Sequence, residues 1–521
     1  MEPSSQTSRH RRWLFRLTLG LSPILVLAAA ELFLRLTGLG LPDAEQAQKL
    51  NPIGLPLFEC APAAGGRLCS TSPWFVGFIG KQQFALPRPA GVVRVFCLGE
   101  SAAEGYPFHV PGSFPRLMQV MLDEAGQRRF EVINVAVRGI HSSDVRHICA
   151  EIVRYQPDLV IVYMGNNEYA GLDPAAEVGP TAEIKYWLRR HFLGLRLYPA
   201  LVNLRVSLSA PPPGINDFRA AARATSAQLL SRNWDTRAIL AVQRRFRENL
   251  ADVVALTRGR GAVPALASVA VNLRDFNPFP DAAVALADRC QAPAPGGTAE
   301  PAPMALAPAA LRERAACAAA PAWPPDERLP AATAYYEGCC ALWSGDAARA
   351  RELLQLARDR DRFRSRTTPA IEGIIRDTAA AQGVPLVDVE AAFAAASPLG
   401  LPGDDLFLDY VHPTLEGQAL IARVMIEALA RQGLLRLDDP LRQRMRRAAD
   451  NYLRTLPPQY LAVSYSTLAG NLANYGMFPR SLRMYRLALA LEPDSTDLQQ
   501  ATAAVQKLAA ESDTPAPIPG K

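Results

Sequence analysis

The chain has 521 residues, 49% of them hydrophobic, and a net charge of +6; it can bury a full core and is too long for one ordinary domain. Its basic residues form no stripe with interleaved aromatics, so no nucleic-acid partner is expected. No C-x-x-C or H-E-x-x-H spacing occurs, and neither a metal site nor a cofactor is expected.

Arg9, His10, Arg11, Arg12 and Arg16 precede the apolar run "LTLGLSPILVLAAAELFLRLTGLGL", about the length a bilayer span requires. The basic flank predicts a cytoplasmic tail and an exported remainder. Ala28 and Ala30 before Glu31 offer a signal-peptide cleavage site as the rival. The apolar character resumes through Leu32, Phe33, Leu34 and Leu36, which favours an uncleaved anchor over residues 1–41. Glu31 and Arg35 stand four apart and can pair on one helical face. Residues 42–90, rich in Pro and Gly, read as an approach segment. Within it Cys60 and Cys69 are expected to close a disulfide loop, as an oxidising compartment permits. Cys290, Cys317, Cys339 and Cys340 cluster later, where disulfides are equally permitted; Cys97 and Cys149 read as buried thiols.

From residue 92 onward apolar runs alternate with amphipathic ones. Strands are predicted over 92–98, 130–137, 159–164, 263–271 and 384–389, and helices over 114–125, 143–155, 238–257 and 369–381. This alternation predicts an α/β fold, a parallel sheet with helices on both faces, whose ligands bind at the carboxyl ends of the strands. Two insertions interrupt it, at about 171–237 and 282–365. The first holds "IKYWLRRHFLGLRLYPALVNL", which reads either as a helix packed on the domain with a solvated basic face or as a segment resting on the membrane. The second opens with Ala/Pro-rich low complexity over 282–332. Beyond the domain over 91–435, residues 436–512 read as helical. Tyr465, Leu468, Ala469, Tyr485, Ala488 and Pro493 fall at the offsets of a tetratricopeptide helix pair. "AYYEGCCALWSGDAARARELLQLARDRD", with Gly338, Ala350 and Ala357, is a weaker echo. An ordinary helical hairpin fits the first pattern as well as a partner-binding module does. Residues 513–521 form a tail.

The first strand stops on "GES", residues 99–101. A turn requires the glycine, but it does not require Glu100 and Ser101. As a nucleophile Ser101 would require a base, an orienting acid and donors for an oxyanion. Of the six histidines, His10 lies in the tail, His147 inside a helical pattern and His191 in the first insertion. His109, His141 and His412 stand near strand ends, and only His412 has a carboxylate, Asp409, at a spacing suited to a triad. "RGIHS" follows the second strand and brings Gly139; "GNNE" follows the third and brings Asn167. The N–H groups of Ser101 and Gly139 and the amide of Asn167 would make an oxyanion hole. Asn272 and Arg274, after the fourth strand, read either as substrate ligands or as loop supports.

"GES", the glycine of "RGIHS", "GNNE" and "DYVHP", in this order and each at a strand end, resemble the four blocks of the SGNH or GDSL hydrolase superfamily. Within it the chain is similar to membrane-anchored bacterial members that join "GNNE" to tetratricopeptide-like helices. The resemblance spans about residues 92–430. It implies a flavodoxin-like three-layer fold and serine esterase or acyltransferase chemistry. Ser101 would be the nucleophile, His412 the base, Asp409 the orienting acid, and Gly139 and Asn167 the oxyanion donors alongside Ser101. Two acids depart from the commoner blocks, Glu100 and Glu168 standing where aspartates are usual. The absence of G-x-S-x-G around Ser101 argues against the α/β-hydrolase fold. The expectation is a single-pass inner-membrane protein with its catalytic domain on the periplasmic side. Its substrate would be an acylated small molecule or glycan, with O-acetyl groups of an envelope glycan the leading candidate, and its helical tail could hold a protein partner. The alternatives are an O-acyltransferase using the same serine, or a non-catalytic binding scaffold.

Overall fold

The computed structural model describes residues 22, 25–41, 52–207, 234–278, 331–361 and 364–512. The start of the expected anchor, most of the Ala/Pro-rich stretch, Cys290, Cys317 and the tail lie outside them.

Five parallel strands form the central sheet: β4 (Val92–Gly99), β5 (Arg129–Asn134), β6 (Leu159–Tyr163), β7 (Val263–Ala267) and β8 (Leu386–Val387), in the order β5-β4-β6-β7-β8. Every residue of β4 and β6 is buried, as apolar central strands of a parallel sheet must be. The chain winds outward from β4 in both directions, the flavodoxin-like order, so the switch point falls between β4 and β6. One face carries α1 (Phe114–Ala125), which packs against a later helix pair, and the other carries α2 (Ser142–Ile152) against a long helix that follows an insertion. Four of the expected strands end before their apolar runs do, the last two falling shortest of them. Val269 donates its N–H to the Glu372 carboxylate at 2.8 Å, which takes the place of a neighbouring strand. Asp388 caps the helix Val389–Ala396, which ends β8.

The expected approach segment is itself structured. β1 (Phe58–Ala63), β2 (Gly66–Thr71) and β3 (Gln83–Leu86) form an antiparallel sheet. Cys60 and Cys69 are cross-strand partners joined by a disulfide. Phe84 packs its edge against Phe96 and Tyr155, 5.9 and 5.3 Å between ring centroids, so this sheet extends the main core.

The first insertion contributes α3 (Pro180–Phe192) and α4 (Leu197–Ser207), and α5 (Thr236–Arg258) follows it and packs on α2. After residue 330 come the helix pair α6 (Ala331–Ser344) and α7 (Ala347–Arg360), then α8 (Pro369–Gln382) against α5, and α9 (Leu415–Arg431) and α10 (Asp439–Arg454) against α1. Cys340 in α6 is disulfide-bonded.

The chain ends in α11 (Pro458–Asn474), α12 (Phe478–Leu491) and α13 (Thr496–Ser512), stacked in sequence. Leu468, Ala469, Tyr485 and Ala488, four of the tetratricopeptide offsets, are buried. Phe108 and Leu408, from the loops above the sheet, share one apolar cluster with these helices. At the other end of the chain, residues 25–37 are helical. Arg35 pairs with Glu31 at 2.6 Å, the expected i, i+4 contact. Among the described residues no helix is long and apolar enough to cross a membrane.

Candidate active site

β4 runs beside β6 with Gly99 level with Tyr163, so the segments that follow these two strands meet. A side chain at residue 99 would place its Cβ 2.1 Å from the Tyr163 carbonyl oxygen and 2.6 Å from the Ala103 Cβ; close approach of backbone is why a glycine stands here. Glu100 then caps a four-residue helical turn that begins at Ser101.

Ser101 Oγ lies 2.8 Å from His412 Nε2, and His412 Nδ1 lies 2.6 Å from Asp409 Oδ2. The other Asp409 oxygen accepts the N–H groups of Val411 and His412 at 2.9 and 2.8 Å. Burial opposes the ionisation of Asp409, but the facing imidazole and these N–H groups outweigh it and hold the carboxyl below its ordinary value. An ionised, fixed Asp409 keeps the imidazole proton on Nδ1 and leaves Nε2 to accept from the serine, the division a triad requires.

Two buried side chains hold this geometry together. Gln418, on the inner face of α9, accepts the N–H of Phe114 at 2.9 Å and donates to the Ala102 carbonyl at 3.0 Å. It ties the helix that follows His412 to the turn that carries Ser101. Asn272 donates to the Asp409 carbonyl at 3.0 Å and to Asp404 at 2.8 Å, while Arg274 pairs with Asp275 and Asp405. Of the two readings open for these residues, the loop support is the one their contacts satisfy. Gln418→Leu is expected to keep the fold by circular dichroism and to lower kcat on a phenyl ester by about 10- to 100-fold, since small displacements of reacting groups are costly. An unchanged kcat in the folded variant would remove Gln418 from a positioning role.

Gly139, at φ +71°, and Asn167 line the same cleft as Ser101. The N–H groups of Ser101 and Gly139 have no partner among the described residues. Asn167 Nδ2 donates to the Ile140 carbonyl at 3.2 Å, which fixes the amide and leaves its second N–H available. The "GNNE" loop is held from below by Glu100, whose carboxylate accepts the N–H groups of Gly165, Asn166 and Asn167 at 3.0 to 3.3 Å. Burial, aided by the charge of Glu168, pushes Glu100 up to about 8 against those three bonds. Glu168 in turn accepts from the Ser142 N–H and hydroxyl, both at 2.8 Å. Glu100 and Glu168 are thus buried fasteners between loops.

The two other histidines expected near strand ends have separate partners. His109 meets the buried Glu104 at 2.6 Å, which also pairs with Arg138, and His141 Nε2 lies 2.9 Å from the Ala170 carbonyl. Tyr106 packs its ring 4.7 Å from that of His412, and its hydroxyl accepts from Asn471 at 2.5 Å. Asn471 belongs to α11, which with Asn474 and Tyr475 forms one wall of a cleft of about 710 Å³ over Ser101. Tyr460 bonds the Phe108 carbonyl, and Arg480 pairs with Asp404 at 3.2 Å. The C-terminal helices are therefore part of the site. In the sequence they read as a separate helical region, although Tyr460, Asn471 and Arg480, polar groups within or beside an apolar helical pattern, are the available signal. Among the described residues no group of His, Cys, Asp and Glu could hold a metal ion.

No family model matches the chain, and no curated protein matches it. Among solved structures it is similar to a GDSL-like lipase from Bacteroides thetaiotaomicron, with 12% identity over 65% of this chain and 88% of that one, at a TM-score of 0.29. It is also similar to a lipase/acylhydrolase from Enterococcus faecalis, with 13% identity over 65% of this chain and 96% of that one, at a TM-score of 0.30.

Proposed function

We propose that this chain is a serine-dependent acyl-ester hydrolase. The observation that carries the reading is the continuous line from Asp409 through His412 to Ser101, at 2.6 and 2.8 Å, opening on a cleft with unpaired donors. In the first step His412 Nε2 takes the hydroxyl proton as Ser101 Oγ bonds to the acyl carbon. The carbonyl oxygen becomes negative and is met by the N–H groups of Ser101 and Gly139 and by Asn167. The alcohol leaves with the proton from His412, and water, activated by the same imidazole, releases the acid.

The cleft is far larger than an acetyl group requires, and a site of this volume suits a bulky ligand. Tyr106, Tyr410, Tyr475, Asn471 and Asn474 supply aromatic faces and amides, and the charged side chains that line it, Arg138 and Asp409, are already paired. Such a lining favours a neutral, hydroxyl-rich alcohol portion, and O-acetyl groups of an envelope glycan fit it. The Cys60–Cys69 disulfide supports export to an oxidising compartment. The basic flank and apolar run at the N-terminus support attachment to the inner membrane with the catalytic domain outside. Transfer of the acyl group to a second hydroxyl is the alternative that the size of the cleft leaves open.

The test is to incubate the full chain with p-nitrophenyl acetate and with an O-acetylated N-acetylglucosamine oligomer, and to follow free acetate and acetylated acceptor. A fluorophosphonate probe is expected to label the peptide that contains Ser101. Absence of acetate release from both esters, or labelling at another serine, would overturn the reading; acetylated acceptor without free acetate would assign transfer.

A further inference from the structure

The helix α3 is packed with its polar side inward. Tyr186 donates to Asn249 at 3.0 Å, Arg189 pairs with Asp144 at 2.6 Å, and Arg190 pairs with Asp252 at 2.5 Å, so its arginines are spent on α2 and α5. Ile184, Trp187, Leu188 and Phe192 are exposed instead, at 58, 52, 46 and 43%. Their spacing of three, one and four residues makes one helical stripe, and the rings of Trp187 and Phe192 lie 5.4 Å apart on it. This reverses the packed-helix alternative with a solvated basic face.

The stripe does not stand alone. In α4, Leu201 and Leu204 are exposed, and in residues 25–37 so are Leu25, Leu27, Leu32, Phe33 and Leu36. The latter helix is fastened to the start of α4: Glu31 accepts the N–H groups of Arg196 and Leu197 at 2.9 and 3.0 Å, and Arg35 donates to the Gly194 carbonyl at 3.3 Å. The only acid of the N-terminal apolar run is therefore satisfied by protein. Exposed apolar side chains thus recur on three helices that adjoin in sequence or are fastened together, which is well beyond the scattered single residues usual in water.

We infer that α3 and α4 form a second membrane contact, lying in the lipid interface beside the N-terminal segment. The occupant follows from continuity, since the same polar contacts that fix α4 fix a helix of the apolar run that leads towards the basic N-terminal flank. Trp187, Phe192 and the leucines suit the boundary between headgroups and acyl chains, and the exposed Lys185 suits anionic headgroups. The inference rests on the membrane attachment proposed above only for the nature of the occupant.

The test uses the full chain in vesicles of phosphatidylethanolamine and phosphatidylglycerol. A nitrobenzoxadiazole dye is attached at Leu188→Cys, at Trp187→Cys, at Leu27→Cys for the N-terminal segment, and at Leu399→Cys as an exposed site on another part of the surface. Lipid-borne nitroxide is expected to quench the dyes at 187 and 188 at least about twofold more than the dye at 399, as interfacial burial requires. Quenching at 187 and 188 no greater than at 399 would overturn the inference, whether solvent or another protein covers the face. If 27 is quenched in that case, the N-terminal attachment stands without the second contact; if 27 is not quenched either, both fall.

Discussion

Ser101→Ala is expected to lower kcat on a small ester by about 10⁴- to 10⁶-fold, the range seen when a triad nucleophile is lost. The prediction follows from where the residue sits. Ser101 opens a helical turn with its hydroxyl on His412 and makes no other side-chain hydrogen bond among the described residues, so alanine removes the nucleophile and costs the fold little. His412→Ala should lose nearly as much, because its imidazole has no catalytic partner other than Ser101 and Asp409. The double variant should then be no worse than either single one, since the members of such a unit act together and their losses do not add. Rates of both singles and the double on p-nitrophenyl acetate, with thermal melts to confirm folding, check this. Residual activity in Ser101→Ala above one-tenth of the parent would exclude the serine mechanism.

Much of this site was legible because parallel sheets put chemistry in a predictable place. Three segments that follow strands, at residues 99–101, 138–142 and 165–168, carry polar groups that a turn does not need, whereas the fourth, at 409–413, is expected at a strand end and lies instead in the loop before α9. The strand order brings the first three to the switch point, and α9 brings the fourth. The helix over Phe114–Ala125 matches the predicted bounds, with Ser113 as its cap and Gly126 at its end, because both signals are local.

What was not legible depends on contacts distant in sequence. Glu100 has no assigned role in the sequence, and only the position of β6 reveals that its carboxylate is occupied by three N–H groups of the "GNNE" loop. Gln418 bonds residues some 300 positions away, and nothing local signals which backbone it meets. The small sheet over 58–86 was missed because its strands are short and interrupted by Pro and Gly, so alternation is too brief to detect. For α3 the periodicity was visible, but periodicity alone does not say which face turns inward. The acids Asp144 and Asp252 decide that, and they lie on other helices.

Asn167→Ala separates binding from chemistry. The backbone N–H of Asn167 is held by Glu100 and its side chain by the Ile140 carbonyl, so the free amide proton is aimed before substrate arrives. A donor fixed in this way gains most as the carbonyl oxygen becomes negative, and its loss should appear in kcat more than in KM. The expected drop is about 100- to 1000-fold in kcat, with KM within a few-fold, as for other oxyanion donors. Asn167→Asp is expected to fall further, because a carboxylate of the same shape replaces the donor with an acceptor and adds a negative charge where one must develop. Steady-state kinetics of both variants on the same ester distinguish the roles. A raised KM with unchanged kcat in Asn167→Ala would make the amide a substrate ligand, and aspartate performing as well as asparagine would remove it from the oxyanion site.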